Sequence, residues 1–129
     1  MKKNIVIVSF LVLGIVFTSR ASGQDKKKQE VKVRGEVIDT KCYISGSMGG
    51  NATGKEHKDC ALTCAKAGVP LGLLEEKTGA VYFVAKLKGM AGANDMLIPF
   101  VAEKVIVTGK MVERGGVKLL MIDTVEKTE

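Results

Sequence analysis

The chain has 129 residues, enough for one domain and too few for two of ordinary size. Apolar residues make up 46% of it, which excludes a disordered chain, while 5% aromatics and no Trp leave Val, Ile, Leu and Met to build the core. The net charge of +6 argues only weakly for nucleic-acid binding. Lys2, Lys3 and Arg20 lie in a segment expected to be removed, and without them the charge falls to +3.

That segment opens the chain. Lys2-Lys3 precede an apolar run, Ile5 to Phe17, interrupted by Ser9 and Gly14. Ala21-Ser22-Gly23 fits the small-x-small pattern read by a signal peptidase, so residues 1–23 are expected to be a signal peptide cleaved before Gln24. The apolar run makes roughly 20 Å of helix against about 30 Å of bilayer core, which favours cleavage over an uncleaved anchor. The mature protein is then expected in the periplasm or secreted, with no membrane span. No Cys stands at the cleavage site, so a lipoprotein anchor is not indicated. Residues 24–30 (QDKKKQE) read as a charged leader and 31–127 as the folded domain.

Val31 to Thr40 alternates apolar and charged residues, the period of a strand. Lys41 to Asp59, with Gly46, Gly49, Gly50 and Gly54, reads as a long loop. Asp59 is expected to cap a short helix over Cys60 to Ala67, stopped by Gly68 and Pro70. Leu71 to Glu76 and Ala80 to Leu87 form a predicted hairpin around Lys77-Thr78-Gly79. Asn94 to Glu103 starts as a helix, capped by Asn94 or Asp95 and limited by Pro99. Lys104 to Glu113 and Val117 to Val125 are strands joined at Arg114-Gly115-Gly116. Five strands with a helix between the third and fourth is the order of the OB-fold, a small Greek-key barrel. Gly35 and Gly109, inside strands, suit the sharp coiling that closure requires. The predicted class is mainly β, an OB-like barrel with a Cys/His loop and short helix between strands 1 and 2; an open sandwich or a different small barrel is the alternative.

The stretches GEVIDTKCY, HKDCALTCAKAGVPLGLL, AVYFV and VIVTGKMVERGG resemble a group of small exported bacterial proteins with an OB-like barrel and a Cys/His insertion after the first strand. The resemblance covers nearly all of the mature chain. It implies the fold and the cluster, and no reaction.

All three cysteines, Cys42, Cys60 and Cys64, and the only histidine, His57, fall within 23 residues. Cys60 and Cys64 are i and i+4 on the predicted helix, on one face a turn apart. His57 is one turn earlier, and Cys42 ends the first strand. If the glycine-rich loop folds back, three sulfurs and one imidazole converge, a set that suits tetrahedral Zn²⁺ and, through its thiolates, Cu(I). Lys41, Lys55, Lys58, Lys66 and the helix N-terminus are expected to favour thiolates there. Two other readings stand. An exported protein can pair Cys42 with Cys60 or Cys64, closing a loop worth roughly 3 kcal/mol and leaving one thiol over. Alternatively, a reactive thiol serves redox chemistry.

Asp39 reads as a solvated strand-end carboxylate, with orientation of His57 as the alternative. Tyr43 is expected to pack over the site, Met111 and Met121 to fill the core, and Met48 or Met90 to be spare thioethers. Asn51-Ala52-Thr53 matches a glycosylation acceptor. The face of strands 2 and 3, with Tyr82 and Phe83, holds too few aromatics to stack bases, leaving a metal ion and a protein or peptide as candidate partners.

Overall fold

The computed structural model describes residues 29–50 and 52–129. The expected signal peptide, its cleavage point, most of the leader and Asn51 lie outside them. Strand β1, Gln29–Asp39, is followed by α1, Thr40–Ser45, a 3₁₀ turn at Lys55–His57, and α2, Lys58–Lys66. Then come β2 (Leu71–Glu75), β3 (Val81–Lys86), α3 (Asn94–Leu97) with a 3₁₀ turn at Ile98–Phe100, β4 (Lys104–Arg114) and β5 (Val117–Lys127). The strand begins inside the expected leader: Gln29 and Glu30 already pair with Met111 and Lys110 of β4.

The five strands close in the order β1-β2-β3-β5-β4 and back to β1. All pairings are antiparallel except β3 with β5. This is the OB-like barrel, reached because each hairpin supplies an antiparallel neighbour while the β3–β5 join needs the crossover that carries α3. Closure leaves no free sheet edge between these strands.

Closure depends on two strand glycines. A Cβ at Gly35 would stand 2.3 Å from the Leu74 carbonyl oxygen, and one at Gly109 2.2 Å from that of Met121. Gly109 also marks the register shift between β4 and β5, a bulge that bends the strand around the barrel.

The interior follows the period of the strands. Val33 and Val37 of β1, Leu71 and Leu73 of β2, Val105 and Val107 of β4, and Leu120 and Ile122 of β5 are buried together. Leu97 and Val101 plug one end from the α3 connection. Helix α2 adds Ala61 and Ala65, an i,i+4 stripe of small residues that lets the helix lie close on the barrel. Tyr82 is buried in this core, so Phe83 alone of the two expected face aromatics is exposed. Met111 and Met121 are half-buried, with Met111 packed on the core. Among the described residues no helix is long and apolar enough to cross a membrane.

Two side chains fix the ends of the inserted segment. Asn94 was expected to cap α3, but Ala93 holds that position. The Asn94 amide instead donates to Val69 O at 2.8 Å and Ala65 O at 3.3 Å, and its Oδ1 accepts from Leu71 N–H at 2.9 Å. It thereby clamps the turn between α2 and β2. Thr40 Oγ1 donates to Pro70 O at 2.7 Å, tying the start of α1 to the same turn.

Candidate metal centre

The glycine-rich segment is not all loop. Asp39 has extended backbone and its Oδ1 accepts from Cys42 N–H at 3.0 Å, the geometry of an N-cap. The one-and-a-half-turn helix that follows ends at Gly46, whose φ of 64° reverses the chain. Cys42 therefore sits in the first turn of α1 rather than at the end of β1, and is 6% exposed. The signal for α1 was available: an Asp cap seven residues before a glycine stop.

The chain returns through a loop anchored on the barrel. Glu36 of β1 accepts a hydrogen bond from Gly54 N–H, and Gly54 O accepts one from His57 N–H at 3.1 Å. His57 is thus delivered to the start of α2, where it occupies the cap position without a side-chain cap bond and is 3% exposed. Asp59 lies in the first turn, not at the cap. The Ala61 and Ala65 stripe faces the core, which leaves Cys60 and Cys64, each one residue earlier on α2, half-buried at its margin. Val69 N–H closes the helix on Cys64 O at 2.9 Å.

The expected four side chains come together, and a fifth joins them. The ligand atoms of Cys42, His57 and Cys60 all lie within 4.8 Å of one another, as do those of Asp39, Cys42 and Cys64. Cys42 belongs to both sets. Tetrahedral zinc with Zn–S near 2.3 Å separates its ligand atoms by roughly 3.8 Å, inside the spread of either set. All three cysteines are free thiols.

Asp39 is fully buried, not solvated, and it serves α1 rather than His57. Two polar atoms in the cluster are buried without a hydrogen-bond partner, Asp39 Oδ2 and His57 Nε2. A buried polar group left so typically costs about 1–3 kcal/mol, more if charged. Each of the two atoms can coordinate a cation.

The Cys42 and Cys64 thiols lean toward protonation in the absence of a cation, contrary to the expectation from nearby lysines. Burial, then Asp39, raises the Cys42 pKa. Cys64 is pushed up to about 12, first through the approach of its thiol to the Asp39 carboxylate, then by burial and by the Asp39 charge. That approach is close without being an aligned hydrogen bond, since Oδ2 has no partner. It is close enough to bias the proton all the same. Burial opposes ionisation of Asp39 itself, but the Cys42 N–H, the thiols of Cys64 and Cys42 and the Lys41 N–H outweigh it and lower its pKa. The lysines stand off: Lys41, Lys55 and Lys66 are exposed, and Lys58 pairs with Glu103 at 3.2 Å.

Tyr43 lines a hollow on the barrel wall with Gly35, Glu36, Leu74 and Lys104. Met90 is fully exposed and Met48 about half so. Comparison of the chain with protein-family models, curated proteins and solved structures returns no match.

Proposed function

We propose that this is a small exported binding protein whose Cys42, His57, Cys60 and Cys64 hold a thiophilic metal ion, Zn²⁺ or Cu(I). The observation that carries the reading is the unpartnered Nε2 of buried His57, in a cluster where its ligand atom lies within 4.8 Å of Cys42 and Cys60. A buried imidazole with a nitrogen lacking a hydrogen bond, in a cluster with two thiols, has in a metal ion a partner for its lone pair. Three sulfurs and one nitrogen are a known donor set for structural zinc, and thiolates also suit Cu(I). The ion would join the end of β1, α1 and α2. A role in holding the fold and a role in carrying metal both follow from this set. Export enters from the N-terminal sequence pattern and from the resemblance noted above.

The test is metal content. Protein purified without a chelating tag, from the compartment where it accumulates, is expected to hold about one equivalent of zinc or copper, and Cys42→Ser to lose it. Wild-type protein that holds none, and takes up neither Zn²⁺ nor Cu(I) at micromolar concentration, overturns the reading. The competing reading is a disulfide-stapled interaction module with a protein or peptide partner, or a thiol redox protein. It draws on the same closeness, because Cys42 is within reach of both other thiols. A free-thiol count below three in protein kept from reductant would favour it.

A further inference from the structure

The donor set proposed above has four members, yet five side chains converge. The fifth, Asp39, has no exposed surface, and its Oδ2 lacks a hydrogen-bond partner. The carboxylate lies within 4.8 Å of the Cys42 and Cys64 sulfurs. Its other oxygen is engaged by Cys42 N–H, so the orientation of Oδ2 is set by the cap of α1. His57 and Cys60 share one set of close ligand atoms, Asp39 and Cys64 the other, and Cys42 joins the two. An ion bound to Cys42, His57 and Cys60 therefore meets two candidates for its fourth position.

We propose that Asp39 is a metal ligand that exchanges with Cys64, so that the centre holds a divalent ion of the zinc class in transferable form. This rests on the metal reading above and settles what that reading left open. Carboxylate oxygen is a hard donor that Zn²⁺ accepts beside thiolate and imidazole, whereas Cu(I) prefers the sulfurs. In the exchange, the bond from the metal to Oδ2 breaks as the bond to Cys64 Sγ forms. The thiol proton passes to the carboxylate, and the metal keeps its oxidation state. Total charge is the same on both sides, and the metal–thiolate bond gained opposes the cost of moving the proton to the carboxylate. Such a site can open one position without releasing the ion, as transfer to another protein requires.

The experiment is a double-mutant cycle on Zn²⁺ affinity, read by competition with a chromophoric chelator, with Asp39→Asn, Cys64→Ser and both together. Asn keeps the capping oxygen and Ser the shape of the thiol. Each single change is expected to weaken Zn²⁺ binding less than about 10-fold and the pair by more than about 100-fold, because each donor substitutes for the other. Asp39→Asn is also expected to slow Zn²⁺ release to excess chelator by about 5-fold or more, a readout that needs only the folded single variant. Co²⁺ in Cys64→Ser is expected to keep a tetrahedral visible spectrum with reduced thiolate charge-transfer. If Cys64→Ser alone costs as much as the pair, or Asp39→Asn leaves both affinity and release unchanged, Asp39 is no ligand and only this proposal falls. If wild-type protein binds no Zn²⁺, both readings fall.

Discussion

Asp39 links the local structure to the cluster. One oxygen caps α1 and so places Cys42, and the carboxylate lies within 4.8 Å of the Cys42 and Cys64 thiols. The two tasks separate by substitution. In metal-free protein, Asp39→Ala is expected to cost about 1–2 kcal/mol through loss of the cap, and Asp39→Asn markedly less, as read by urea unfolding. The same carboxylate sets the pH response of the centre. Raised pKa values at Cys42 and Cys64 mean that a cation must displace protons from them. Zn²⁺ affinity is therefore expected to rise steeply with pH from 6 to 8, with proton release detectable in weakly buffered titrations. An affinity flat over that range would be inconsistent with thiol ligation. The cysteines and His57 were legible in the sequence because rare ligand residues crowd into one stretch. Asp39 was not, because a single acidic residue at a strand end reads as solvated until the chain that covers it is known.

Among the elements, β4 and β5 show how backbone geometry is enforced. The bulge at Gly109 has no room for a side chain against the Met121 carbonyl. Gly109→Ala is expected to destabilise by about 1–3 kcal/mol, the usual range for overpacking, visible as a lowered denaturant midpoint. Glu103, just before β4, pairs with Lys58 at 3.2 Å and Lys127 at 3.3 Å, linking α2 to the end of β5. These partners hold its pKa below the ordinary carboxylate value, the Lys58 hydrogen bond first. A carboxylate lowered on folding contributes stability above its unfolded pKa and loses it as pH falls through the folded one. Replacing Glu103 by Gln is thus expected to flatten the acid limb of a stability–pH curve and leave its alkaline limb in place. The strands themselves were read within a few residues from alternation and glycine turns. Helix α1 was missed because six residues offer no repeat, and the glycines after it dominate the composition. The start of β1 was missed because polar Gln29-Glu30 resemble the leader, and their pairing with β4 is long-range.

At the scale of the whole molecule, the barrel and the cluster are separable. The barrel closes through its own strand pairing around Val37, Leu73, Val105 and Leu120, none of which is a ligand. Chelation is therefore expected to lower the melting temperature by roughly 20 °C, since a ligand at about 1,000 times its Kd contributes about 4 kcal/mol. The far-ultraviolet spectrum should still report a folded β protein. Complete unfolding on chelation would show that the barrel relies on the ion.

The sequence by itself determined the mainly β class, the five strands, the glycines of closure and the identity of the rare ligands. Each is written in a local pattern of period, turn chemistry or composition, which survives without knowledge of distant contacts. Only the tertiary structure decided that β1 closes on β4, that Asn94 clamps the turn after α2, and that Asp39 is buried beside Cys64. Those facts depend on residues far apart in the chain meeting in space, and no local pattern encodes which pairs will meet.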